Sequence, residues 1–80
     1  MIKREPLPIN SNNIKQMAMF GPRELQVAAH ISEGLLNVEI AEKMSTTEHT
    51  VKNQVTVLMR KLQCRSRVGV AVWYIRTFEK

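Results

Sequence analysis

Lys52, Asn53, Thr56 and Arg60 fall together on one side of the stretch 48–62 when it is wound as a helix. An ammonium, a carboxamide, a hydroxyl and a guanidinium can donate to or accept from the edges and charges of a polar partner. They do not break bonds unaided, so the chemistry they offer is recognition. Thr47 and Thr50 lie at the start of the same stretch. There, short hydroxyls and the free N–H groups of a helix N-terminus can hold phosphate oxygens.

Catalysis finds little footing. The chain has no Ser/His/Asp arrangement and no Gly-rich phosphate loop, and the i, i+3 spacing of Glu39 and Glu42 is common on solvated helices. The protein is therefore expected not to be an enzyme and to need no cofactor. His30 and His49 have no carboxylate or thiol cluster beside them and read as packing and surface residues, not metal ligands. Cys64 is the one cysteine, which rules out an intramolecular disulfide or a Cys-based metal site. It is expected to be a buried thiol in a reducing, cytoplasmic compartment. The longest apolar run, residues 70–75, is far too short to span a bilayer. Glu5, Pro6 and Pro8 interrupt the place where a signal peptide needs apolar residues, so no membrane association is expected.

The elements that must position these groups are helices. Eighty residues make one domain at most, and 44% hydrophobic residues suffice for a globular core. Residues 1–20 read as an N-terminal arm: Pro6 and Pro8 favour extended backbone and residues 10–13 are loop composition. Ile14, Met17 and Ala18 are spaced for a short turn that could dock on the core. The domain proper is expected over residues 21–78. Its first helix starts at Pro22, carries Val27, Ala28 and Ile31 as an apolar stripe, and stops at Gly34. Asn37 is expected to cap the second, with Ile40, Ala41 and Met44 buried. Ser45, Thr46 and Thr47 break it, and Thr47 caps the third.

That third segment, 48–62, is in local conflict. Thr50, Val51, Val55, Thr56 and Val57 are β-branched and favour strand. Val51, Val55, Leu58 and Leu62, however, fall at i, i+4, i+7 and i+11, within a ~60° arc at 100° per residue. The spacing predicts a helix with an apolar back and a polar, basic front. A fourth helix follows Ser66, with Val68, Ala71, Val72 and Ile75 as its expected inward stripe.

Charge follows the same division. The net charge is +5, made of +2 over residues 1–21, −3 over 22–48 and +6 over 49–80. A basic C-terminal half suggests a polyanion partner. Four aromatic residues are few for a single-strand binder that stacks bases. Two helices joined by a short polar turn, the second with a hydrogen-bonding front, describe a helix-turn-helix. The major groove of double-stranded DNA admits one such helix and presents donors and acceptors to it.

At this point several blocks resemble one family. Gly21-Pro22-Arg23-Glu24, Gly34-Leu35-Leu36-Asn37-Val38-Glu39-Ile40-Ala41, Thr50-Val51-Lys52, Arg60-Lys61-Leu62 and Arg67-Val68 are similar, in register, to the LuxR-type (GerE-type) DNA-binding domain. The stretch Arg65-Ser66-Arg67-Val68 through Ala71-Val72-Trp73 is particularly similar to NarL-type output domains. The resemblance covers residues 20–76. Gln54 stands where the family often has His, Thr46 where an aliphatic is usual, His30 and Ala28 where Leu is usual, and Thr56 where relatives have Lys.

The resemblance implies an all-α, four-helix domain of bacterial or phage origin that binds double-stranded DNA as a homodimer and regulates transcription. It implies that Lys52, Asn53 and Thr56 face base edges and that Thr47, Thr50 and Gln54 hold phosphates. Arg60, Arg65, Lys61 and Arg67 join the phosphate set, the last two lying near the DNA backbone or bracing the fold. Glu24 is implied to be a helix-start residue tied to a basic partner such as Arg67. Val70, Trp73, Tyr74 and Thr77 are implied to carry the dimer contact. With no receiver or ligand-binding domain ahead of the motif in these residues, the chain is expected to resemble the stand-alone members, controlled by abundance or a partner. The alternative is an adaptor or anti-activator that sequesters another regulator through Trp73, Tyr74 and the N-terminal arm.

Overall fold

The structure, a computed structural model, describes residues 18–78. The expected turn of Ile14 and Met17 and most of the N-terminal arm lie outside the described residues. Four helices follow in order: α1 (Pro22–Ser32), α2 (Asn37–Lys43), α3 (Glu48–Leu62) and α4 (Arg67–Phe78). The all-α architecture expected from periodicity is the one observed, and residues 48–62 are helical despite their β-branched content. Apolar spacing outweighs local preference there because Val51 and Leu58 are fully buried and Val55 is nearly so.

Three of the four helices begin on an identifiable contact. The N–H of Gly21 donates to Glu24 Oε1 over 3.0 Å, and Pro22 occupies the first helical position of α1. At α2 the cap is Leu36, not Asn37; its N–H donates to Glu39 Oε1 over 2.7 Å. Asn37 is displaced one residue into the helix because its side-chain oxygen accepts from Arg67 instead. Thr47 caps α3 as expected, its Oγ1 accepting from the Thr50 N–H over 3.1 Å.

Three helices end alike. At the end of α1, Gly34 has φ +85°, its N–H donates to the Ile31 carbonyl, and the Leu35 N–H donates to the His30 carbonyl. This is the 6→1, 5→2 pair of a left-handed helix terminus. Ser45, with φ 55°, repeats it after α2 through Thr46 to Ala41, and Gln63, also with φ 55°, repeats it after α3 through Cys64 to Met59.

The core is Phe20, Val27, Ala28, Ile31, Ile40, Ala41, Val51, Val55, Leu58 and Val70. Phe20, read above as part of the arm, belongs to it: its ring lies 5.0 Å from that of Trp73. α1 packs mainly on α4, and α2 mainly on α3. The half-buried Cys64 lines the core instead of being enclosed by it. A Cβ added at Gly69 would stand 2.6 Å from the Cys64 Cβ, so the α3–α4 corner closes only over a glycine.

The expected orientation of α4 is reversed. Val70 is fully buried, with Ala71, Trp73 and Tyr74 packed partly against the core. Of the stripe expected inward, Val68 is 65% exposed, Val72 39% and Ile75 41%; only Ala71 packs inward. Val70, implied above to share in the dimer contact, is thus a core residue of the single chain. The physical reason is that α4 is apolar nearly all round. Two stripes of correct spacing compete, and the one holding Trp73 and Tyr74, which meet Phe20 and Phe78, is the one turned toward the core.

Candidate nucleic-acid interface

With Val51, Val55 and Leu58 seated in the core, the opposite side of α3 faces solvent. Lys52, Asn53, Thr56 and Arg60 are all exposed on it. Local contacts shape what each presents. The Thr56 hydroxyl donates to the Lys52 carbonyl over 3.0 Å, so its hydrogen is spent within the helix. What remains for a partner is a hydroxyl acceptor and a methyl group. The Asn53 carboxamide nitrogen lies 3.3 Å from His49 Nε2, one helical turn back.

At the N-terminus of α3, Thr47 Oγ1 both accepts from the Thr50 N–H and donates to Thr50 Oγ1 over 3.0 Å. The Thr50 hydroxyl therefore keeps its own hydrogen to give. N–H groups of the first turn, which have no partner within a helix, point the same way and carry its positive dipole end. Gln54 is half-buried, and its Oε1 is enclosed with no hydrogen-bond partner among the described residues. Its amide nitrogen is the group left to donate outward. Arg65 is exposed at the α3–α4 corner.

Two basic residues that the resemblance joined to the phosphate set are engaged inside the chain. Lys61 Nζ lies 3.1 Å from Glu24 Oε1, donates to the Met19 carbonyl over 2.7 Å, and stands 5.4 Å above the Phe20 ring. Arg67 Nη1 donates to Asn37 Oδ1 over 2.7 Å and Nη2 to the Leu35 carbonyl over 2.8 Å. The expected partnership of Glu24 with Arg67 is thus corrected: Glu24 pairs with Lys61, because both lie where the α1 start meets the α3 end. Arg67 lies instead against the loop leading into α2.

Sequence reasoning missed two contacts. Arg23 Nη2 donates to the Met44 carbonyl over 3.2 Å, steadying the turn between α2 and α3. Nothing local announces that contact across 21 positions. His49 beside Asn53 was legible, since an i, i+4 spacing places the two side chains together. His30 is 24% exposed, with Nδ1 3.2 Å from Glu33 Oε1.

Residues 18–74 match the family described as bacterial regulatory proteins, luxR family (GerE). The chain belongs to this family. Its four helices are the family's helix-turn-helix domain, and DNA binding in transcription regulation comes with that membership. Over 54 residues this LuxR-family chain is 46% identical to the transcriptional regulatory protein LnrK of Bacillus subtilis, covering 68% of this chain and 24% of LnrK. Over 52 residues it is 42% identical to the nitrate/nitrite response regulator NarL of Escherichia coli K12, covering 65% and 24%. Over 54 residues it is 43% identical to the HTH-type transcriptional activator RamA of Corynebacterium glutamicum, covering 68% and 19%. The chain thus spans a quarter or less of the length of these relatives. No solved structure matches it. Among the described residues, no helix is long and apolar enough to cross a membrane.

Proposed function

We propose that this domain acts in the cytoplasm, on the nucleoid, as a sequence-specific regulator of transcription that seats α3 in the major groove of double-stranded DNA. The observation that carries the reading is the division of α3: its apolar ridge is buried, and Lys52, Asn53 and Thr56 stand exposed on the reverse. Lys52 reaches the O6 and N7 acceptors of guanine, Asn53 pairs with adenine, and the Thr56 methyl meets the thymine methyl. Thr50, Gln54, Arg60 and Arg65 hold phosphates, with Thr47 ordering the first turn beneath them. Lys61 and Arg67 brace the fold beneath this face.

Two copies pair through α4, placing their recognition helices in successive major grooves about one helical turn apart. The pairing surface is the exposed stripe Val68, Val72 and Ile75, not the face of Val70, Trp73, Tyr74 and Thr77. In the adaptor alternative, Trp73 and Tyr74, half-buried against the core, would offer a partner only their outer edges.

The deciding experiment is selection of bound sequences from a random DNA pool, followed by titration at two salt concentrations. The reading requires a symmetric pair of half-sites and an affinity that falls steeply with salt. Replacing Lys52 by Ala should cost about 1–3 kcal/mol at its preferred base and relax choice there. Unchanged specific binding by Lys52→Ala overturns the assignment.

A further inference from the structure

We propose that His49 is a positioning residue for base recognition: it orients the Asn53 carboxamide so that the edge presented outward is the one that fits adenine. The inference rests on the major-groove reading of α3 and adds to it a residue that contacts no base.

The two side chains lie 3.3 Å apart between Asn53 Nδ2 and His49 Nε2, and both residues are exposed on α3. A carboxamide nitrogen only donates, so the imidazole nitrogen facing it must be the accepting one. This contact is made by the tautomer that carries its proton on Nδ1. Asn53 gives His49 one of its two amide hydrogens. The second hydrogen and Oδ1 lie side by side on the free edge of the amide. That edge donates once and accepts once, which is the complement of N7 and N6–H of adenine. Guanine, which shows two acceptors there, finds only one donor.

Without His49 the amide turns about its terminal torsion, a soft two-fold rotation, and its nitrogen and oxygen exchange places at little cost. Adenine then has to select one orientation from two. An anchored amide has made that selection before the DNA arrives, and water excluded from the groove no longer competes for the contact.

The test uses the whole chain in a random-pool DNA selection, comparing the wild type with Asn53→Ala, His49→Ala and His49→Gln. All three changes are at exposed helix positions, so folding is preserved. The wild type should enrich adenine at one step of each half-site, and Asn53→Ala should abolish that preference. His49→Ala should lower the adenine-over-guanine ratio about twofold, the factor for one orientation chosen from two, while leaving the other positions unchanged. His49→Gln, whose Oε1 can accept the same hydrogen, should restore it. Nitrogen-detected spectra of the free protein should show the His49 proton on Nδ1, and Asn53→Ala should release that constraint.

A His49→Ala profile identical to wild type, or a ring proton on Nε2 in the free wild type, overturns the positioning role and leaves the groove reading intact. An Asn53→Ala profile identical to wild type removes Asn53 from the base-reading set and overturns the positioning role with it; the groove reading falls only if Lys52→Ala also leaves specific binding unchanged.

Discussion

Arg67 Nη1 donates to Asn37 Oδ1 over 2.7 Å, while Nη2 of the same guanidinium donates to the Leu35 carbonyl over 2.8 Å. One planar fork from the first turn of α4 therefore holds the loop that launches α2, the first helix of the helix-turn-helix pair. The start of α2 is thus held by a residue of neither α2 nor α3.

Arg67→Lys should lower stability by about 1–2 kcal/mol, and Arg67→Ala by about 2–3 kcal/mol, because an ammonium cannot serve both acceptors with the same geometry and an alanine serves neither. Urea unfolding measures the loss. The DNA sequence profile should stay unchanged in protein that remains folded. A variant of undiminished stability whose affinity falls for every sequence would show that Arg67 contacts phosphate instead.

Much of this arrangement was legible in the sequence. Val51, Val55, Leu58 and Leu62 fix the roll of α3 because the polar front leaves only one side to bury. Thr47 was readable as a cap and Gly34 as a stop. The roll of α4 was not, because Val68, Val72 and Ile75 compete with Val70, Trp73 and Tyr74 for the inward side, and no charge marks the difference. Lys61 and Glu24, 37 positions apart, are brought together only by packing of α3 on α1. The left-handed termini at Ser45 and Gln63 escaped notice because neither residue is glycine.

The exposed stripe of α4, proposed as the pairing surface, allows assembly to be tested apart from folding. Val72→Lys should leave stability within about 0.5 kcal/mol, as for other exposed substitutions. It should nevertheless shift sedimentation toward the monomer and weaken binding to a two-half-site operator at least about tenfold, with a single half-site unaffected. Val70→Ala should do the opposite, costing about 2 kcal/mol of stability through a core void. Unaltered sedimentation of Val72→Lys would remove this stripe from the dimer contact.

Ser45 and Gln63 both hold φ at 55°, where a side chain crowds the following carbonyl. Ser45→Gly and Gln63→Gly should each raise stability by about 1 kcal/mol, since glycine keeps the terminal hydrogen bonds without the crowding. For a domain of this size that is a rise in Tm of about 4–8 °C, read by calorimetry. A fall in Tm would mean that entropy lost from the more flexible glycine chain exceeds the relief.

On the proposed groove reading, Gln54 sets stability against DNA binding within one side chain. Its Oε1 is enclosed without a partner among the described residues, an arrangement that costs about 1–3 kcal/mol. Methionine has nearly the same length and no such oxygen, so Gln54→Met should raise the urea midpoint, by about 1 kcal/mol in stability. The same change removes the amide nitrogen assigned to a phosphate. Affinity should therefore fall by a similar factor for all DNA sequences, leaving the selected half-site unchanged. If Gln54→Met gains stability and binds DNA as before, the strained oxygen has another cause and the phosphate contact belongs to Thr50 and its neighbouring N–H groups alone.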